Sequence, residues 1–153
     1  SYTQWNKKLN SKLAAMVMSI NAFKSIEFGT GIKQANEFGS DVHDEIKWSD
    51  NSYIRPTNNA GGIEGGMSNS QPIIIRASMK PIPTLTKPLQ STDIITHEEK
   101  LAHKERTDSC AVPAASIITE SMVCITLLDS ILEKFGGDSL EQLKNHIKIS
   151  GKY

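Results

Sequence analysis

Lys80 stands at the head of "KPIPT", residues 80–84, where two prolines follow a cation at alternate positions. Pro81 and Pro83 restrict their own φ and push Lys80 and Ile82 toward extended geometry, so the segment is nearly rigid before anything binds. Such a segment presents the Lys80 ammonium, the Ile82 side chain and the Thr84 hydroxyl in set directions at little entropic cost. A sheet edge guarded by prolines against aggregation explains the same residues equally well. Arg106 and Asp108 in "ERTDS" lie two apart. In an extended segment they share a face, giving an anion-binding fork beside a carboxylate able to move a proton. A surface ion pair is the commoner use of that spacing, but "CAVP" follows at once and leads into an apolar helix, which places the pair at the mouth of a core.

The pairs Gly61-Gly62 and Gly65-Gly66 allow backbone to approach a planar or phosphorylated ligand, or simply to turn flexibly. No Walker A lysine and no strand, GxGxxG, helix arrangement is present, so the standard nucleotide motifs are excluded. His43, His97, His103 and His146 show no metal spacing. His43 between Asp41 and Asp44 reads as a solvated loop rather than a ligand cluster. There is no Gly-x-Ser-x-Gly elbow and no catalytic-cysteine signature.

Seventeen basic residues balance seventeen acidic ones among 153. No overall field draws the chain to nucleic acid or to an anionic membrane, so any anion must be held locally. A chain of this length buries roughly two thirds of its unfolded surface and suits one domain, 1–153, or the C-terminal portion of a larger one. The sequence reading finds no apolar run of spanning length and no signal-peptide core, and expects a cytoplasmic protein without a membrane partner. Cys110 and Cys124 lack paired spacing and are expected to be reduced and structural. The chain opens at Ser1 rather than Met, which fits a processed product or a piece of a longer polypeptide.

The elements that must position these residues follow from periodicity. "SKLAAMVM" predicts a helix, and "INAFKSIEFG" a strand ending at Gly29. Gly29 to Gly66 reads as long loop. "QPIIIRASM" predicts a strand entered by Pro72, and "LQSTDIITHEEKLAHKE" a hairpin or two exposed strands. The spacing of Ile118, Met122, Ile125, Leu128 and Leu132 predicts a helix from Pro113 to about Phe135, with Gly136-Gly137 as its stop. Val123, Cys124 and Leu127 make its other side apolar too, so it is expected to be buried all round. Asp138 or Ser139 is expected to cap a last helix, "SLEQLKNHIKI".

Together, "MSINAFKSIEFG", "GSDVHDEI", "TNNAGGIEGGMSN", "PIIIRASMKPIPTL", "ERTDSCAVPAASII" and "ILEKFGG" resemble the chorismate synthase family in order and spacing. The resemblance runs from Leu9 to His146 and covers the C-terminal half of the family's usual length. The segments with that family's two catalytic histidines and most of its substrate-binding arginines have no counterpart here. Ile32, Ser70 and Pro56 depart from the family pattern, and Ser70 replaces a glycine in a turn expected to need positive φ.

The resemblance implies an α+β fold, a β-α-β sandwich with a helical layer packed between antiparallel sheets, of which this chain is about half. It implies a carbon-oxygen lyase of the shikimate pathway, which serves aromatic amino-acid biosynthesis. The reaction converts 5-enolpyruvylshikimate 3-phosphate to chorismate and phosphate by 1,4-anti elimination, with reduced FMN as cofactor and NADP as an associated nucleotide. It also implies a homotetramer, and an N-terminal half needed to complete the site. Carried over position by position, Asn21, Ala22, Gly65, Lys80, Pro81, Ile82, Pro83, Thr84 and Arg106 are the implied flavin-binding residues. Asp108 is the implied catalytic carboxylate near flavin N5. A half-length flavin-binding or structural paralogue without autonomous catalysis is the alternative.

Overall fold

The structure is a computed structural model that describes residues 1–104 and 110–151. After a 3-10 turn at Trp5–Lys7, helix α1 spans Leu9–Met18 and strand β1 spans Phe23–Phe28. Strand β6, Ile75–Met79, lies antiparallel to β1, with Phe23 opposite Met79 and Phe28 opposite Ile75, and with an irregularity between Phe23 and Ser25. Between them come helix α2 (Gly39–Val42), the hairpin of β2 (Lys47–Ser49) and β3 (Ser52–Ile54), and the hairpin of β4 (Ile63–Glu64) and β5 (Met67–Ser68). A last hairpin pairs β7 (Gln90–Thr92) with β8 (Glu99–Leu101), and helices α3 (Val112–Phe135) and α4 (Leu140–Ser150) close the chain.

Leu13 and Val17 on α1 are fully buried, and Val17 packs with Phe23 of β1 and Ala115 of α3. Ile20, Ile26, Ala77, Met79 and Val123 surround that cluster. One face of α1 thus lies between the β1–β6 pair and the first half of α3. Lys12 ties the same two helices from outside, with Nζ 3.1 Å from Asp129 and 2.6 Å from Glu133, while Lys7 meets Glu133 at 2.6 Å.

Most expected elements form, with three corrections. The stretch read as loop from Gly29 to Gly66 holds short regular pieces, because Asp50 and Asn51 both take positive φ (50° and 60°) and turn β2 into β3 within two residues. Strands of three residues are too short to show a period in sequence. The strand of "QPIIIRASM" begins only at Ile75, since the Ile74 N–H is bound by Gly61 and the Ile74 carbonyl by the Gly29 N–H.

The third correction concerns α3. Pro113 sits in its first turn and Gly136, at φ 61°, ends it as expected. It is not buried all round: only Ala115 and Thr126 are buried, whereas Ile117, Ile118, Ile125 and Leu128 are 63%, 50%, 57% and 52% exposed. By length and composition alone it would also suffice to cross a membrane, contrary to the expectation that no apolar run reaches spanning length. The chain covers one side of this helix with α1 and β1. Both cysteine thiols are free and exposed, so neither belongs to the core. Helix α4 is capped as expected, its Gln142 N–H donating to the Ser139 hydroxyl.

Candidate functional site

The site grows from the turn that follows α1. The Ser19 hydroxyl donates to the Met16 carbonyl at 2.6 Å, and the Ile20 and Phe23 N–H groups donate to Val17 and Ile20. This tight turn places Asn21 on the surface and forces Ala22 to φ 72°, a left-handed conformation that residues with a Cβ rarely adopt. The Ala22 carbonyl then accepts the Lys80 N–H at 2.8 Å, directly beyond the Phe23–Met79 pair. One hydrogen bond therefore joins Asn21-Ala22 to the start of "KPIPT". Beyond it, Lys80, Pro81 and Pro83 are exposed, and Ile82 and Thr84 are half-buried, the inward and outward split that the prolines impose.

Beside Asn21 lies a cavity of about 480 Å³, bounded by the turn after α1, by Met79 and by the first turns of α3. Arg106 and Asp108 lie outside the described residues.

The glycines divide by role. Gly61 is buried at φ 67°, and a Cβ there would stand 2.1 Å from the Gly29 nitrogen, so it serves close backbone packing rather than a ligand. Gly65 is different: with Gly66 it makes the two-residue turn from β4 to β5, and a Cβ on Gly65 would meet nothing within 4 Å. The Gly66 carbonyl accepts the Leu9 N–H at 2.8 Å, which sets this turn at the beginning of α1. Asn21 and Ala22 follow the end of that ten-residue helix, about 15 Å along its axis. The structure thus joins Asn21 and Ala22 to Lys80, at the start of "KPIPT", and leaves Gly65 about a helix length away.

Asp44 has a role that its spacing did not reveal. Its carboxylate accepts the Thr57 hydroxyl at 2.6 Å and the Asn59 and Ala60 N–H groups at 2.7 and 2.9 Å. Burial raises its pKa, but these hydrogen bonds and the Arg55 charge outweigh that and hold it below the usual 3.8. Asn58 continues the clasp, its Oδ1 accepting the Gly62 N–H and its Nδ2 donating to the Pro72 carbonyl. These bonds fix the approach of Gly61 to Gly29 and so the entry to β6. The signal was the run "TNNAGG", whose side chains suit backbone capping. Among the described residues no group of three His, Cys, Asp or Glu could hold a metal.

The family model described as Chorismate synthase matches residues 1–132. The chain is 54% identical over 149 residues to the chorismate synthase of Listeria welshimeri, a match covering 97% of this chain and 38% of the relative. It is 52% identical over 154 residues to chorismate synthase 1 of Bacillus cereus, covering 100% of this chain and 40% of the relative. A crystal structure of chorismate synthase superposes with a TM-score of 0.78 at 40% identity, over 98% of this chain and 38% of that one. The chain belongs to the chorismate synthase family and has its α+β fold. It spans about 38% of the length of these relatives, less than the half suggested by its motifs.

Proposed function

We propose that this chain is the flavin-cradling portion of a cytoplasmic chorismate synthase, a lyase that converts 5-enolpyruvylshikimate 3-phosphate to chorismate and phosphate by 1,4-anti elimination. The observation that supports the reading is the 2.8 Å bond from Lys80 N–H to the Ala22 carbonyl, which joins Asn21-Ala22 to the start of "KPIPT" in a chain of this family. The residues there suit reduced FMN, a flat, anionic ring system: the Asn21 amide lines an apolar cavity together with Met79, and the Lys80 cation directly follows Met79 in the chain.

Reduced FMN, when bound, supplies the electron-rich partner that the elimination uses without net redox change. The protein's own residues orient and polarise. Lys80 offsets the negative charge of the reduced ring, an interaction that strengthens where water is excluded. Arg106 serves the ring and the leaving phosphate, and Asp108 takes or returns a proton at flavin N5. Pro81 and Pro83 keep Ile82 and Thr84 in register against the ring. Gly65, at the far end of α1, would meet a flavin held by another copy in a homotetramer. The uncovered side of α3 receives the portion of the family's length that this chain lacks, and that portion completes the substrate site.

The test pairs this chain with the missing portion taken from the Listeria welshimeri relative. With reduced FMN, the pair should release phosphate from 5-enolpyruvylshikimate 3-phosphate, and each part alone should not. Robust release by the isolated chain would overturn the partial-site reading, and inactivity of a correctly assembled pair would favour a binding paralogue.

A further inference from the structure

The hairpin of β7 and β8 stands apart from the core. Every residue of its two strands is exposed, and among the described residues neither strand pairs with a third. Two strands alone are marginally stable in water, and their open edges invite a partner. The tip is tied tightly: Asp93 Oδ1 accepts the Ile95 and Thr96 N–H groups at 2.9 and 3.1 Å, and the Asp93 N–H donates to the Glu98 carbonyl at 2.9 Å. This turn holds Ile94 and Ile95 outward, 91% and 84% exposed, between Asp93 on one side and Glu98 and Glu99 on the other. Lys100, 3.7 Å from Asp93, offsets one of those charges. Two adjacent isoleucines held in water by an acidic turn form a ready-made knob, with little conformational entropy left to lose on binding.

A matching recess lies between the start of α1, the β4–β5 hairpin and the last turns of α3, a cavity of about 660 Å³. Leu9, Met67, Ile73, Leu127 and Ile131 give it an apolar lining. Lys7, Lys12 and Lys134 border it too, with Glu133 the only carboxylate there among the described residues. Glu133 binds Lys7 and Lys12, whereas among the described residues Lys134 meets no carboxylate. No residue of the hairpin lines this recess in its own chain. We propose that the Ile94-Ile95 tip of one copy docks in the recess of a second copy, which returns its own tip to the first. Such an exchange about a twofold axis buries both knobs and closes the pair. Apolar side chains meet an apolar lining, and the acidic turn meets Lys134, so charge fixes the register of the contact. The hairpin also follows "KPIPT" in the chain, and Gly66, Met67 and Ser68 border the recess. Docking therefore draws Thr84 of one copy toward Gly65 of the other, a consequence that rests on the flavin reading above, whereas the docking itself does not.

Sedimentation velocity on the full chain, assembled with the missing portion, reads the number of copies per particle. Ile94→Asp together with Ile95→Asp should raise the self-association Kd about tenfold or more. Far-UV circular dichroism should stay as in the parent, because both side chains already stand in water. Glu98→Lys and Lys134→Glu should each weaken association several-fold. An equal mixture of those two single variants should recover it, since each tip then finds an opposite charge on the other copy. A structural role for either residue would give no such recovery. Recovery only when both substitutions share one chain would place the contact within a single copy and overturn the proposal. A parent that does not self-associate, or an isoleucine double variant that associates as the parent does, would overturn it as well. Recovery in the mixture, with a parent that does not bind FMN, would uphold the docking and overturn the flavin reading.

Discussion

The Lys80 N–H donates to the Ala22 carbonyl at 2.8 Å while Ala22 holds φ at 72°. The bond continues the β1–β6 pairing past the irregularity at Phe23, and the left-handed residue is what turns its carbonyl toward Lys80. A Cβ in that conformation costs about 1 kcal/mol or more. Ala22→Gly is therefore expected to raise stability by about 1 kcal/mol in urea denaturation. Ala22→Val should lower it by roughly 2 kcal/mol and weaken FMN as Lys80 is displaced. Unchanged FMN affinity in a folded Ala22→Val protein would show that the bond does not position Lys80.

Ser70, in the turn expected to need positive φ, sits at φ 69° and is exposed. Ser70→Gly should stabilise the protein by about 0.5–1 kcal/mol, seen as a higher denaturation midpoint at unchanged m-value. A loss of stability would mean that the hydroxyl has a partner of its own.

Asp44 makes the fold acid-sensitive in one direction. Its folded pKa lies below the ordinary 3.8, so its contribution is full above that value and is lost as pH falls through the depressed pKa. Asp44→Ala should cost on the order of 2 kcal/mol at neutral pH, from donors left unpaired at Thr57, Asn59 and Ala60. It should also flatten the fall in stability on acidification, and an unaltered acid profile would refute the assignment.

Glu133 is pulled to about 2, first by its hydrogen bond from Lys12, then by that from Lys7 and by the charges of both. Its link between α1 and α3 should persist on acidification until pH approaches that value, then fail. Because the carboxylate is on the surface, Glu133→Gln should lower the thermal midpoint slightly at low salt and not at all in 1 M salt. A salt-independent loss would point to packing rather than charge.

Asp108→Asn in the assembled enzyme should reduce turnover by about 100-fold or more while changing FMN affinity by less than about threefold. Equal losses in both would reduce Asp108 to a binding residue. Measuring kcat and flavin Kd on the same preparation separates the two.

Local pattern made much of this chain legible. The helix stop at Gly136 follows from residue types acting on their own backbone, while for the α4 cap and the 90–101 segment those types left two alternatives each, Asp138 or Ser139 and a hairpin or two strands, of which Ser139 and the hairpin form. The motifs also carried the family and, with it, the names of the residues expected at a flavin. Local rules did not reach relationships between distant segments. That Gly61 serves packing against Gly29 while Gly65 stands open, that Asp44 anchors residues 57–60, and that Ala22 holds Lys80 depend on which backbones approach one another. Helix α3 shows the boundary most plainly. Its period and apolar character were written in sequence and required burial, but burial needs a partner surface, and α1 with β1 covers only one side.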